Sequence, residues 1–301
     1  KDFETVKQEA QQAWESQLEK IVIESDDLDK KTNFYSALYH TMIAPNIYQD
    51  VDGRYRGMDL EIHETKDFDY YTVFSLWDTY RAAHPLYTII EQDKTNDFIN
   101  TFLAKYDEGG IMPMWDLSGN YTDCMIGYHA VPVVADAYLK GIRNYDTEKA
   151  FEAMKHSATR DKFGLESYKK YGFIPVDEES ESVSKTLEYA YDDWTIAQMA
   201  KAMNKDDDYK TYIQRAQYYK NVYDPESKFM RGRFRNTWFT PFDPYEVNFN
   251  YTEANSWQYS FYVPQDISGF MDLLGGKDAL ESQLDQLFSA NAETSGRHQA
   301  D

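Results

Sequence analysis

Val183-Ser184-Lys185-Thr186-Leu187-Glu188-Tyr189-Ala190-Tyr191-Asp192-Asp193-Trp194-Thr195-Ile196-Ala197-Gln198-Met199-Ala200 is the stretch that decides the fold. Val183, Leu187, Ala190, Trp194 and Ala197 recur at spacings of three and four, which aligns them as the buried stripe of an α-helix. Glu188 and Asp192 stand four apart on another face. Like charges at that spacing repel mildly. The pair therefore suggests a shared cation, a shared arginine or a site; the plain alternative is two solvated acids.

The same period runs outward in both directions. Phe3, Val6, Ala10, Ala13, Trp14 and Leu18 define one face of a long first helix. Ser25-Asp26-Asp27 caps a second helix carrying Phe34, Leu38, Tyr39 and Ile43, and Pro45-Asn46 ends it. Further helices are expected at about 73–83, 94–106, 122–141, 146–159, 181–204, 206–221, 253–262, 266–274 and 277–289. Pro132 should start or kink its helix. Short links such as Gly141 to Asp146 make these αα-hairpins. Hairpins in this number stack as a solenoid or close as a toroid, and the absence of a constant-period repeat disfavours the solenoid. Asp52-Gly53 marks a turn in an irregular or briefly extended stretch after Tyr48. Longer non-helical stretches, roughly 48–70, 107–121, 160–180 and 224–250, carry Gly, Pro and aromatics and would gather as cleft loops. No flexible linker or low-complexity segment breaks the chain, so residues 1–301 read as a single all-α domain.

The totals exclude several classes. A net charge of −21 over 301 residues repels phosphate backbones and anionic lipid, which argues against nucleic acid as a partner. The same balance suits solubility, neutral substrates and cations. No run reaches the ~18 apolar residues of a membrane span. The charged opening, Lys1 to Gln11, is no signal peptide. A lone Cys124, taken as buried, excludes an internal disulfide framework and a thiolate metal cluster. Hydrophobic content of 42% allows a sizeable core, and the 26 Tyr and 6 Trp suit both helical cores and sugar-stacking clefts.

Several residues are candidates for chemistry. Phe74, Trp77, Asp78 and Arg81 fall on one face if helical. An Asp beside a Trp can hydrogen-bond paired sugar hydroxyls while the ring packs on the sugar; the alternative is a surface Asp–Arg pair. Asp123 reads as a helix cap or a cleft group, and His129 as a hydrogen-bonded core histidine. The six His show no metal-ligand spacing, and no GxSxG, Walker or dinucleotide motif occurs. Glu253 lies in Asn250-Tyr251-Thr252-Glu253-Ala254-Asn255-Ser256-Trp257-Gln258-Tyr259. A carboxyl group packed on rings loses solvation and holds its proton to higher pH, as a general acid requires. The alternative is an acid favoured by the dipole of a helix first turn near Thr252.

These strings, in this order, resemble a known family. Phe34-Tyr35-Ser36-Ala37-Leu38-Tyr39-His40-Thr41, Tyr55-Arg56-Gly57-Met58-Asp59, the run from Tyr71 to Pro85, Gly127-Tyr128-His129, Thr186 to Trp194, Phe229-Met230-Arg231-Gly232-Arg233, the Glu253 segment and Asp285-Gln286-Leu287-Phe288 are similar to the calcium-dependent exo-acting α-mannosidases of glycoside hydrolase family 92. The resemblance implies an N-terminal β-sandwich followed by an (α/α)₆ toroid, of which this chain looks like the first two-thirds or so. It implies removal of terminal α-linked mannose with inversion, one bound Ca²⁺, mannose-containing glycans as partners, and a secreted, periplasmic or cell-surface location. Glu253 would be the proton donor, with a separate carboxylate ~6.5–9.5 Å away activating water. Trp77, Asp78 and Arg81 would form the mannose contact through the Trp-Asp-Thr motif.

Two departures accompany it. The family's Gly-Asn-Glu-Pro stretch and its acidic pair, which resembles the site of the general base, would lie past Asp301. No base and few calcium ligands are therefore expected here, and the chain alone should be inactive. Gln265 stands where a Val-Pro-His-Asp pattern has His. Ser295 to Gln299 is a candidate for the leaving-group side. The competing readings are another (α/α)₆ glycoside hydrolase or phosphorylase, and a non-catalytic glycan-binding helical module.

Overall fold

The helix formed by Val183–Ala200 is buried on nearly every side, and the rest of the molecule is arranged around it. The structure, a computed structural model, describes residues 1–290 and 293–296. Among them are thirteen α-helices: α1 (Phe3–Leu18), α2 (Leu28–Thr41), α3 (Leu76–Thr79), α4 (Ala83–Ile90), α5 (Gln92–Gly109), α6 (Ala130–Leu139), α7 (Thr147–Ser157), α8 (Leu165–Tyr171), α9 (Ser182–Ala202), α10 (Asp206–Arg215), α11 (Ser256–Tyr259), α12 (Ile267–Leu274) and α13 (Lys277–Ser289). The strands are two or three residues long and pair in twos. One such pair, Arg54–Arg56 with Ile62–Glu64, follows the Asp52-Gly53 turn.

Packing explains why α9 is central. Tyr189, Ile196, Ala197, Met199 and Ala200 join a core with α4, α5, α6 and α7. Val183, Leu187 and Ala190 join a second core with Tyr219, Tyr251, Tyr259, Val263 and Phe270. Each fully buried Leu or Ile contributes roughly 1.5–3 kcal/mol against exposure, so one helix ties two cores together. The neighbours pack as hairpins: α4 with α5, α6 with α7, α9 with α10 and α12 with α13. Caps follow the sequence at several starts. The side chains of Asp27, Asp146 and Asp266 each accept a first-turn N–H.

The outer helices are less covered. None of α1's residues is buried, and Phe3, Val6, Leu28, Ile267 and Phe288 are exposed.

The structure corrects several expectations. The helix expected over about 122–141 begins only at Ala130, because Asp123, Met125 and Gly127 have φ of 53°, 64° and 81°. That left-handed backbone cannot propagate a right-handed helix. Asp123 therefore caps nothing, and Cys124 is exposed rather than buried. The helix expected over about 73–83 is the single turn α3, with Phe74 outside it and fully buried. The one expected over about 253–262 is the single turn α11, capped by Asn255 in a reciprocal pair with Gln258. Two helices went unread. α4 carries Pro85 in its first turn, where a missing N–H is tolerated. α8 lies between left-handed Gly164 and Gly172.

Candidate functional site

Two of the expected residues, Trp77 and Arg81, meet at Glu188 of the acid pair. Glu188 is fully buried on α9. Its Oε1 accepts from Trp77 Nε1 at 3.0 Å, Arg81 Nη2 at 3.2 Å and the Tyr259 hydroxyl at 3.1 Å. Its Oε2 faces His129 Nε2 at 2.5 Å, and His129 Nδ1 faces Asp192 Oδ1 at 2.8 Å. The acid pair thus does share a cation, and that cation is an imidazolium between two carboxylates. Burial pulls the His129 pKa down, but Asp192 and Glu188 together outweigh it and hold it up at about 9. Burial pushes the Asp192 carboxyl up against the opposing pull of His129. The reading of two solvated acids is excluded.

Local backbone makes this geometry possible. The Tyr128 N–H donates to Asp192 Oδ2 at 2.9 Å, fixing the approach to α6. A Cβ on Gly127 would lie 2.1 Å from His129 Nε2, so only glycine fits there. Tyr80 stacks on the imidazole, with ring centroids 4.0 Å apart. Its hydroxyl hydrogen-bonds that of Tyr262. Arg81 lies over both tyrosine rings, 4.9 Å from Tyr80 and 4.6 Å from Tyr262.

Each expected residue has a place. Trp77 is half-buried, and Arg81 is 42% exposed by side chain; both turn their donors to Glu188. Asp78 is exposed and takes the Ser75 hydroxyl. Its expected surface pairing with Arg81 is replaced by the Arg81–Glu188 pair. Glu253 is exposed, at φ 49°, before α11 rather than within it, so the first-turn dipole reading does not apply. The rings around it are buried in the second core while its own side chain faces outward, so the expected loss of solvation against them is not present. Its loop is fixed to the start of α9: the Val183 N–H donates to Asn250 O at 3.0 Å, and the Thr252 N–H to Ser184 Oγ at 2.9 Å. Ser184 lies four residues, or about 6 Å of helix rise, before Glu188. Gln265 donates to the Ala216 carbonyl at 3.3 Å. Arg297, His298 and Gln299 lie outside the described residues.

Two further buried carboxylates organise the surroundings. Asp193 accepts from Tyr128, Tyr168 and Arg215. Asp116 accepts from Lys105 Nζ at 2.9 Å, the Thr72 hydroxyl and the Phe74 N–H, which holds the strand leading to Trp77. Among the described residues no group of three or more His, Cys, Asp or Glu side chains is placed to hold a metal ion.

Sequence reasoning singled out the Glu188–Asp192 pair and read His129 as a hydrogen-bonded core histidine, but did not join them. The signal was present: Leu187, Tyr189, Ala190 and Tyr191 leave the acid pair no polar face to share with water.

Comparison with known proteins gives the chain a family. The model of the glycosyl hydrolase family 92 catalytic domain matches residues 1–301. A family GH92 α-mannosidase of known structure from Bacteroides thetaiotaomicron superposes with a TM-score of 0.93 at 44% identity, over 96% of this chain and 39% of that one. A family GH92 inverting mannosidase from the same organism superposes with a TM-score of 0.89 at 34% identity, over 95% and 40%. A curated relative, described as an uncharacterized secreted glycosidase of Arthroderma benhamiae, is 26% identical over 96% of this chain and 39% of its own length. The chain thus spans about two-fifths of these relatives. The solved relatives contain an (α/α)₆ domain, and the hairpins described above are part of that toroid. With a family match along its whole length, the chain belongs to glycosyl hydrolase family 92.

Proposed function

We propose that the protein carrying this chain is an exo-acting α-mannosidase, and that residues 1–301, read as a single domain, supply the sugar-facing side of its site. The observation that carries the reading is the convergence on Glu188. Trp77 and Arg81 of the Trp-Asp-Thr segment and Tyr259 of the Glu253 segment donate to the same oxygen. Two stretches far apart in sequence are thereby held side by side.

In the proposed reaction Trp77 packs on the mannose ring, while exposed Asp78 accepts from its hydroxyls. Arg81 lines the same face. Glu253 gives its proton to the glycosidic oxygen as the bond from C1 to that oxygen breaks. Water, deprotonated by a second carboxylate, attacks C1 from the opposite face and yields mannose of inverted configuration. The described residues offer no assigned partner for that second role. The calcium requirement implied by the resemblance belongs to the proposal for the whole protein, and no step here is routed through the ion. A secreted or cell-surface location is also proposed, in line with the wording given to the fungal relative. No helix among the described residues is long and apolar enough to cross a membrane.

The test is hydrolysis of an aryl α-mannoside by the whole protein, with and without a calcium chelator. Release of mannose that stops on chelation is expected, with the 301-residue chain alone inactive. Cleavage of α-glucosides in preference, dependence on phosphate, or mannose binding without turnover by the whole protein would each replace the reading.

A further inference from the structure

Glu188 spends its oxygens unusually for a buried carboxylate. Asp193, five residues later and equally buried, accepts only from Tyr128, Tyr168 and Arg215, all of them buried. Its work is internal. Glu188 instead takes two donors from side chains that reach the surface, Trp77 and Arg81, and a third from Tyr259. With His129 the count is four, three on Oε1 and one on Oε2. The cation behind it cannot drift. His129 is clamped by Asp192, by the Tyr80 ring and by the close approach of Gly127.

We propose that Glu188 is a positioning residue of the candidate mannose site: it sets the Trp77 indole and the Arg81 guanidinium on one side, and the Glu253 segment through Tyr259 on the other, at one fixed spacing. This rests on the mannosidase reading for its consequence in catalysis. The reason is geometric. A sugar stacked on Trp77 must present its glycosidic oxygen to Glu253, and displacements near 1 Å in such placements cost about a hundredfold in rate. Glu188 touches neither sugar nor reacting bond; it acts through the groups that do. The charged and titratable groups facing the seat of His129 are Glu188 and Asp192 from α9, Tyr80 and Arg81 from the end of α3, and Tyr262 through Tyr80.

The experiment is a double-variant cycle in the whole protein, with Glu188→Gln and Trp77→Phe, read as kcat/KM on an aryl α-mannoside. Each single change is expected to lower kcat/KM by about 10- to 100-fold. The double variant should lose clearly less than the product of the two single losses, because the Trp77–Glu188 contact is common to both. Multiplication of the two losses would overturn the proposal. A second readout needs no activity. In the ¹H–¹⁵N spectrum, Glu188→Gln should move the Trp77 indole N–H resonance and leave those of Trp14 and Trp238 in place. An unmoved Trp77 signal would also overturn it.

Should the Glu188 variant not fold, the wild type carries the test. The Trp77 indole signal should shift as His129 loses its proton near pH 9, and a signal constant through that range would count against the proposal. If the whole protein cleaves no α-mannoside, the proposed function fails. The indole measurement then decides the positioning claim by itself.

Discussion

His84 and His129 are both fully buried rings, and the molecule treats them in opposite ways. His84 sits in α4 among Phe74, Tyr87, Phe98 and Phe102, with ring centroids 5.6–6.5 Å away. Neither of its nitrogens has a hydrogen-bond partner among the described residues. Burial alone drives its pKa down to about 3, so it stays neutral. His129 is as dry but lies between two carboxylates, and its pKa rises to about 9. The difference teaches where this fold tolerates charge. A buried ring surrounded by aromatics alone stays neutral, and one set between two carboxylates keeps its charge.

The comparison breaks most directly at Glu188. Glu188→Leu would strand a buried imidazolium with one partner and leave the donors of Trp77, Arg81 and Tyr259 unpaired. We expect a loss of about 3–5 kcal/mol in urea-induced unfolding; a loss below about 1 kcal/mol would show that the cation is not held there.

The second test is alkaline stability. The folded pKa of His129 lies above its unfolded value of 6.5, so its contribution is complete below pH 6.5 and is lost as pH rises through about 9. The difference of 2.5 units, from 9 minus 6.5, corresponds to roughly 3 kcal/mol. The raised pKa of Asp192 has the same sign, but its effect begins above its own unfolded value of 3.8, a separate window. Unfolding free energies at intervals across this range should fall; a flat curve would contradict the buried cation.

His84 should give the opposite limb. Its folded pKa is depressed, so the unfolded chain takes up the proton first as pH falls below 6.5. By about pH 5 the cost is about 1.5 units, or roughly 2 kcal/mol. His84→Leu should remove that part of the acid slope, seen as the difference between variant and wild-type curves. Parallel curves would mean that the ring is charged in the fold. The smallest effect is expected at Glu253. Its side chain is exposed and its loop is held by backbone contacts, so Glu253→Gln should change stability by no more than about 0.5 kcal/mol.

Much of this was legible in the sequence, and the failures have physical causes. Apolar spacing located α5, α7, α9, α12 and α13 to within a few residues, and in the first three buried residues recur along the helix. It failed at Asp123 to Tyr128, where positive φ at three positions overrides a helical-looking composition. It failed at α4 because proline reads as a breaker unless its place in the first turn is known. At the site, Trp77 and Arg81 were found as a spacing and do converge, but through Glu188 rather than along one helix face. The partner of Glu188 and Asp192 lies about sixty residues away in sequence, and no local pattern could name it. The exposure of Glu253 was likewise invisible, since the rings beside it in sequence point inward.

On the proposed reading, buried carboxylates hold the site and the exposed Glu253 acts. The most direct test is Glu253→Gln in the whole protein, assayed on an α-linked mannobiose and on dinitrophenyl α-mannoside. The sugar leaving group needs a proton and the dinitrophenolate does not. Turnover of the disaccharide should fall by about 10²–10⁴-fold, with the aryl substrate changed by less than about tenfold. Equal losses on both substrates, or wild-type turnover on both, would contradict the assignment of Glu253 as the proton donor.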